Sequence, residues 1–378
     1  MRLVKTHGSL NEIFAMDATP ASWASDAELR EFVRRVCDRD AWTGGSDGIY
    51  LYDASSARTQ AWFFNPDGSS AEFCGNGMRG LGRLILDLRG TDTEVVASGG
   101  RGYTVRRSES TPEGVRQVLV DLPPAEFAAP PPPPFAGYTA VTVPNPHVIA
   151  VVSEYSEPDL IEAGRRAAEV FPAGANVSFL LPLPASATVA APKSPHTLLP
   201  FPASHVAAAP KPPDTPSAPP PDTPSAPSVP TTPYTSGTPS VPPDAPSAPS
   251  VPTTPYASDA LEVFVRTFER GAGLTPSCGS GVVASRAAYS RVTGLDPGER
   301  LVVRNAGGVA AAYIRVRAGG WYPVLEGNAT VVYHAEADLS GGQTGPIEYA
   351  AEENAAYAAL DEQNIAYLKY RGVTTTHP

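Results

Sequence analysis

The chain carries two near-identical phrases, CGNG at 74–77 and CGSG at 278–281, and each leads directly into a stretch with helical periodicity. The residues before them repeat as well, since Asn65 stands nine residues before Cys74 and Glu269 nine residues before Cys278. Both stretches are typical of a strand end, a glycine turn, a cysteine and a helix. A lone cysteine is usually a small buried residue. The repeated setting instead predicts an internal duplication into two half-domains, each offering one thiol to a shared cleft.

A cysteine at a helix start has a particular chemical environment. The unpaired N–H groups of the first turn and the helix dipole favour negative charge, so both thiols are expected to be biased towards thiolate. The glycines that follow let the backbone approach a ligand closely, and their N–H groups can hold a carboxylate. Each phrase is therefore predicted to be a carboxylate cradle with a titratable sulfur attached.

Composition restricts the class of protein. With 378 residues, 42% of them hydrophobic, the chain can build two modest domains with real cores. The net charge of −11 disfavours nucleic acid or an anionic membrane as a partner. Neither a membrane-length apolar run nor a signal-peptide core is found, and three cysteines suit a reducing compartment, so we expect a cytoplasmic protein. The histidines are scattered and no CxxC motif is present, so no metal site is expected.

One long segment differs from the rest of the chain. From about Pro182 to Pro255 it is rich in Pro, Ser, Thr and Ala and holds more than half of the 43 prolines, and the run at 224–234 returns unchanged at 246–256. Such a segment lacks the composition for a sheet or a core. It is predicted to be a solvated surface insertion with a preference for the polyproline II conformation, which the fold tolerates. The alternative is that it binds a partner protein through a groove that recognises proline-rich segments.

Elsewhere the periodicity is mixed. Short β-branched runs predict strands, and apolar residues at helical spacing predict a few helices. The strands are expected at 93–97, 116–120, 261–265 and 300–304, and the helices at 27–38, 78–88, 282–289 and 350–370. The two helices after the cysteine phrases are apolar on most sides, so each is predicted to be a core element of its half.

Five separated segments, taken in order, resemble the diaminopimelate epimerase family. They are 5–14 (KTHGSLNEIF), 64–77, 145–147 (NPH), 176–177 (NV) and 269–281. The resemblance covers most of the chain outside the insertion and the C-terminal tail. It implies a cofactor-independent epimerase that inverts one α-carbon of diaminopimelate between the LL and meso forms. The implied fold is α+β, with two pseudo-symmetric lobes, each a mixed, mostly antiparallel β-sheet wrapped around a central α-helix, and an active site in the cleft between them.

The resemblance also implies roles for individual residues. Cys74 and Cys278 would be the acid and the base, and the remaining matched positions would bind or support the substrate. The α-carboxylate cradle would be Gly75, Asn76, Gly279 and Ser280; the distal group would be held by Asn65, Asn145, Asn176 and Arg270; Asn11 and Glu269 would lie near the substrate; and His147 would support the first cysteine. Three other residues have simpler interpretations: Cys37 packs in a helix face, His7 is structural and Asp47 shapes a turn.

Three positions depart from the family pattern and leave the substrate open. Leu274 stands where the family often carries glutamate, Pro144 where it has glycine and Gly80 where a cysteine is commoner. One alternative is a racemase of another amino acid with the same two-thiol mechanism. A second is an inactive relative that serves as a proline-rich interaction scaffold, although both thiols are retained.

The predicted domains follow from these boundaries. They are an N-terminal lobe at 1–129, a C-terminal lobe at 135–181 and 258–337 whose last strands can return to the first lobe, an insertion at 182–257, and an extension at 338–378 that packs on a lobe or mediates association. The predicted partner is a small amino acid substrate, with neither nucleic acid nor membrane involved and a homodimer left open.

Overall fold

Strands outnumber helices in the part of the chain that the structure, a computed structural model, describes, namely residues 1–183 and 261–376. The elements fall into a first half and a second half of similar order, followed by a C-terminal group. The first half contains β1 (Arg2–Gly8), β2 (Asn11–Asp17), α1 (Asp26–Cys37), β3 (Ile49–Asp53), β4 (Thr59–Phe64), β5 (Ser70–Ala71), α2 (Gly75–Arg89), β6 (Thr93–Ser98), β7 (Arg101–Ser108) and β8 (Gln117–Asp121).

The second half begins with a two-residue strand and then follows the same sequence of elements. It contains β9 (Glu126–Phe127), β10 (Thr139–Val143), β11 (Asn145–Val151), α3 (Glu157–Val170), β12 (Asn176–Leu183), β13 (Leu261–Glu269), β14 (Gly273–Leu274), α4 (Gly279–Thr293), β15 (Leu301–Asn305), β16 (Gly308–Arg317) and β17 (Gly320–Asn328). The C-terminal group is β18 (Thr330–Glu336), β19 (Glu348–Tyr349) and α5 (Ala351–Tyr370).

Strand pairing repeats between the two halves. In the first half, β1 and β2 are antiparallel, β2 and β3 parallel, β3 and β4 antiparallel, β4 and β6 parallel, and β6, β7 and β8 antiparallel in turn. The second half has the same series with β10, β11, β12, β13, β15, β16 and β17. The antiparallel pair β8–β17 joins the halves into one continuous sheet, and β18 pairs with β1.

The helices lie at equivalent places in this repeat. α2 connects β5 to β6, and α4 connects β14 to β15. α2 contacts β1, β2, β7 and β8, whereas α4 contacts β10, β11, β16 and β17. Residues of both helices, including Met78, Leu81, Val283 and Ala288, share one apolar cluster with the strands. The sheet-dominated mixture of helices and strands agrees with the predicted class, and the division into two lobes with defined boundaries stays a prediction.

The four strands and four helices that local patterns predict are all present, with ends within about four residues of the prediction, but the other fifteen strands of the described residues were not assigned individually. Two further differences concern α3 and the end of β12. α3 was not expected, because Pro158 and Gly164 interrupt its pattern; yet Pro158 lies in the first turn, and Ser156 caps the helix through the Asp159 N–H. Gly164 has a packing role, since a Cβ there would lie 2.2 Å from the Phe268 ring.

The second difference concerns the boundary of the proline-rich segment, which the sequence places at Pro182. The structure continues β12 through Leu183, and Pro182 pairs with Val263 of β13. β11 accompanies β12 only as far as Leu180, so among the described residues Pro182 has a neighbouring strand on one side, as at a sheet edge, where proline is tolerated. The rest of the predicted insertion lies outside the described residues.

Candidate active site

The two cysteines cap their helices in the same way. Cys74 is the N-cap of α2, and its Sγ accepts a hydrogen bond from the Gly77 N–H at 3.4 Å. Cys278 is the N-cap of α4, and its Sγ accepts from the Gly281 N–H at 3.3 Å. The backbone of both cysteines is extended, as an N-cap requires. Each sulfur therefore takes the place that a serine or aspartate oxygen usually occupies.

The starts of the two helices touch. A Cβ added to Gly75 would lie 3.2 Å from the Gly279 Cα, and one added to Gly279 would lie 3.1 Å from the Gly75 Cα. Asn76 strengthens this contact, because its Nδ2 donates to the Ser277 carbonyl at 2.9 Å. The structure thus brings together the two predicted carboxylate cradles, and glycine is required on both sides because any side chain would separate them.

Asn11 lies beside the first cysteine. Its Oδ1 accepts from Asn76 Nδ2 at 3.1 Å and lies 4.0 Å from Cys74 Sγ. Asp47 holds Asn11 in turn, since its carboxylate accepts from Asn11 Nδ2 at 2.8 Å and from the Glu12 N–H at 3.0 Å. The prediction that Asp47 shapes a turn did not include this contact with Asn11. The parallel pairing of β2 with β3 brings Asp47 close, and no local signal reports such a contact.

Ser280 is the centre of a polar group beside the second cysteine. Its Oγ lies 3.4 Å from Cys278 Sγ, 2.9 Å from His147 Nε2 and 3.4 Å from Asn145 Nδ2. Asn176 joins through its Nδ2, 3.4 Å from His147 Nε2, because the β11–β12 register pairs these two residues. His147 thus contacts the residue two positions after the second cysteine, whereas the resemblance implied a place beside the first.

Glu269 and Arg270 end up in different surroundings. The Glu269 carboxyl accepts from Thr275 Oγ1 and interacts with the Cys278 thiol. The Arg270 backbone N–H donates to Asn176 Oδ1 at 2.8 Å, but its guanidinium donates to the Ala173 carbonyl in a loop. The Glu269 side chain is therefore directed to a thiol, whereas the Arg270 side chain is not.

Asn65 follows β4 in a tight turn. Its Nδ2 donates to Ser69 Oγ at 3.0 Å, and its N–H bonds to the Ser69 carbonyl at 2.8 Å. The described contacts of Asn65 stay within this turn. Its place is nevertheless equivalent to that of Glu269, since β4 turns into β5 as β13 turns into β14.

Two of the departures from the family pattern also find a place. Leu274 lies on β14 opposite Phe268, just before the residues that lead to Cys278. Gly80 lies on α2 against β1, where an added Cβ would be 2.2 Å from Thr6 Oγ1. The Thr6 side chain therefore occupies the room that a cysteine at this position would need.

Burial controls the ionisation of both thiols. It raises the pKa of Cys74 to about 12, against the opposing effect of the Gly77 N–H, and the negative charge of Glu269 adds to the increase. Burial and Glu269 also raise the pKa of Cys278 well above the usual range. The expected bias towards thiolate is therefore wrong for this state of the protein, because desolvation outweighs the helix start.

The buried charges around the thiols follow the same rule. Burial raises the pKa of the Glu269 carboxyl, and it lowers the pKa of His147 to about 3. His147 is therefore neutral at ordinary pH. It can form a hydrogen bond with Ser280 but carries no positive charge that could stabilise an anion. Cys37 lies apart from this site, buried in the apolar cluster around α1.

Comparison with known proteins gives curated relatives over most of the chain, although no family model matches it. A diaminopimelate epimerase from Clostridium acetobutylicum is 22% identical over 370 residues, covering 90% of this chain and 86% of that protein. One from Methanopyrus kandleri is 27% identical over 336 residues, covering 89% and 88%.

Solved structures of similar fold are more distant in sequence. A PhzF-family phenazine biosynthesis protein from Bacillus anthracis superposes with a TM-score of 0.54 at 12% identity, covering 88% of this chain and 97% of that one. A hydroxyproline epimerase from Agrobacterium vitis does so with a TM-score of 0.51 at 12% identity, covering 93% and 97%. At this identity, the structural likeness supports the fold alone.

No helix among the described residues combines the length and the apolar character needed to cross a membrane. The curated relatives confirm the resemblance that the sequence motifs carry, and the class of enzyme they indicate is an isomerase of the epimerase and racemase type. The chain is thus a relative of the diaminopimelate epimerases.

Proposed function

We propose that this protein converts LL-diaminopimelate to meso-diaminopimelate without a cofactor, with Cys74 and Cys278 as its acid and base. The contact between the two cysteine-capped helix starts is the observation that carries this proposal. In this contact, the helix start capped by Cys74 in the first half meets the helix start capped by Cys278 in the second half. A reaction that removes a proton from one face of a carbon and returns one to the other face needs such a pair.

The helix starts supply the electrostatic part of the reaction. An amino acid α-proton is weakly acidic, so the developing carbanion requires preorganised donors around the α-carboxylate. The N–H groups at Gly75 and Asn76 and at Gly279 and Ser280 are suited to this task, because helix N-termini favour anions. One cysteine takes the α-proton as thiolate, the other gives its proton as thiol, and the roles exchange in the reverse direction.

The substrate itself supplies part of the ionisation. In the free protein both thiols are held protonated by burial, as the raised pKa values indicate. The substrate's ammonium group brings a positive charge, and a nearby opposite charge stabilises a thiolate. Glu269, a half-buried residue whose carboxyl interacts with the Cys278 thiol, would pair with that ammonium group.

Alkylation of Cys74 in the free protein should report this ionisation. Because only the thiolate reacts and burial raises its pKa to about 12, the iodoacetamide rate should climb about tenfold per pH unit and keep rising beyond pH 10. Site-resolved mass spectrometry measures the rate. A plateau near pH 9, where an ordinary cysteine levels off, would contradict burial control.

The reaction is tested by incubation with LL-diaminopimelate in deuterium oxide. We expect meso product that carries deuterium at the inverted α-carbon, because the returned proton comes from a solvent-exchanged thiol. Chiral chromatography with mass detection follows both the configuration and the label. Product without the label would exclude the two-base scheme.

A racemase of another amino acid is the second candidate. Leu274 precedes the second thiol where the related family often has a carboxylate, and the Arg270 guanidinium is engaged by Ala173. Both features weaken recognition of a distal ammonium and carboxylate. The same deuterium experiment with proline, hydroxyproline and other amino acids decides the matter: exchange with one of these and none with LL-diaminopimelate would favour the second candidate.

A further inference from the structure

The C-terminal helix contacts both halves of the sheet. Near the start of this helix, the Glu353 carboxylate forms an ion pair with the Arg83 guanidinium, and Arg83 Nη2 donates to Glu353 Oε1 at 2.6 Å. Arg83 lies on α2, the helix that Cys74 caps, and it also donates to the Ala329 carbonyl at 2.8 Å. The Val331 N–H completes the site by donating to Glu353 Oε2 at 3.1 Å. The first turn of α5 is therefore fixed to the cysteine helix of the first half.

One turn later, Tyr357 lies between the two halves. Its ring packs edge-on against the His7 ring of β1, with centroids 4.3 Å apart, and its hydroxyl donates to the Gly307 carbonyl between β15 and β16. The side chain is only 3% exposed. Gly308 makes room for it, since its φ is +134° and a Cβ there would lie 2.2 Å from the Tyr357 hydroxyl.

Both contacts of Tyr357 lead to the candidate site within a few residues. The Gly307 N–H donates to the Pro276 carbonyl at 3.0 Å, and Pro276 stands two residues before Cys278. His7 precedes, by four residues, the Asn11 that lies against Cys74. Tyr357 thus contacts His7, in the segment that leads to Asn11 and Cys74, and Gly307, which is hydrogen-bonded to the segment that leads to Cys278.

The remainder of the segment is attached to the second half. Asn364 Nδ2 donates to the Asn305 carbonyl at 3.1 Å, and the Arg304 guanidinium lies 3.9 Å from the Tyr367 ring centre. Beyond the helix, Thr376 Oγ1 donates to Glu157 of α3 at 2.9 Å. Leu368 and Val373 pack with residues of β12 and β13. The sequence left open whether this extension packs on the protein or mediates association.

We infer that residues 351–376, which we term the strap, hold the two cysteine-bearing halves against each other, and that Tyr357 is the positioning residue that keeps the two helix starts in contact. The inference extends the proposed function, because it assigns the relative placement of the acid and the base to a segment that touches neither. Its basis is the pair of attachments at Arg83 and Gly307, one in each half. A segment that served stability alone could attach anywhere on the sheet.

The test replaces Tyr357 with phenylalanine and compares thiol labelling in the full chain. Y357F keeps the ring on His7 but leaves the buried Gly307 carbonyl without its donor, so the halves should separate more often. We expect iodoacetamide labelling of Cys278, which is 6% exposed, to rise roughly tenfold. Y370F is the matched control, because Tyr370 ends the same helix and is 83% exposed; its labelling should equal that of the unaltered protein.

Cys37 distinguishes separation of the halves from general unfolding. It is 3% exposed within the cluster around α1, away from the strap. The inference requires Cys278 labelling to rise while Cys37 labelling stays unchanged. Equal increases at both cysteines, or no increase at Cys278, would overturn it.

A second pair of variants tests the other attachment. E353Q weakens the ion pair with Arg83, and E352Q changes the exposed neighbouring carboxylate, so selective Cys278 labelling is expected in the first variant only. If the protein proves active, Y357F should also lower kcat more than it raises KM, since the acid and the base are displaced. The labelling result does not depend on activity, so the strap can be refuted while the proposed function stands, and the reverse holds as well.

Discussion

Replacing either Cys74 or Cys278 with serine should lower the rate of epimerisation by roughly 10²–10⁴-fold, because each substitution removes one acid–base group. A hydroxyl is too weakly acidic to exchange a proton with an α-carbon at neutral pH, and each half of the sheet supplies only one thiol at the helix contact. Turnover of LL-diaminopimelate by the purified variants, with circular dichroism to verify folding, gives the result.

The third cysteine is the matched control for this experiment. Cys37 is buried at the end of α1, where its Sγ interacts with Ser46 Oγ at 3.3 Å, and it lies in a different cluster from the site. Cys37→Ser should keep turnover within a few-fold of the unaltered protein. Substantial activity in either of the other two variants would refute the two-thiol assignment.

Gly279→Ala should lower turnover by roughly tenfold to 10²-fold while the protein remains folded. The added Cβ would lie 3.0 Å from Asn76 Oδ1 and 3.1 Å from the Gly75 backbone, so the helix starts must move apart by a few tenths of an ångström or more. Displacements of about 1 Å can cost a factor of 10² in rate when they misplace reacting groups. The measurements are kcat and the melting temperature.

Gly345→Ala provides the comparison for that variant. Gly345 is half-buried in the loop before β19, and the atom nearest to an added Cβ is the Glu336 carboxylate oxygen Oε2 at 3.3 Å, which can move aside. We expect unchanged turnover there. If Gly279→Ala also retains full turnover, the contact between the helix starts has no part in catalysis.

The cysteine helices were predictable because their signals are local. An apolar period of 3.6 residues following a glycine phrase is sufficient for a helix, and the prediction of 78–88 falls within the observed Gly75–Arg89. Capping by the sulfur moves the start of the helix to the residue directly after the cysteine. The same reasoning located α4, because its phrase repeats that of α2.

Contacts between distant parts of the chain could not be predicted in the same way. Asp47 reaches Asn11 only because β2 and β3 pair in parallel, and Tyr357 reaches His7 from the other end of the chain. Neither residue differs in its local sequence from an ordinary turn aspartate or helix tyrosine. Their roles depend on strand order and on helix docking, which the full fold determines.

The ionisation of the thiols shows the same limit in energetic terms. The sequence reveals the helix start beside each cysteine, and that effect is present as the hydrogen bonds from Gly77 and Gly281. It does not reveal how completely the packed halves exclude water. Because desolvation is the larger influence, the predicted direction of the pKa change was reversed.

The register at the end of β12 has a practical consequence. Leu183 pairs with Glu262 of β13, so the sheet itself holds together the two points between which the proline-rich segment enters and leaves. The entropic cost of closing a loop grows only slowly with the number of residues in it, so the number of residues between these two anchors can vary at little cost in stability. The junction is therefore a natural place to graft a reporter domain or an affinity tag, since the cargo would be attached without cutting through the polar network that surrounds the thiols.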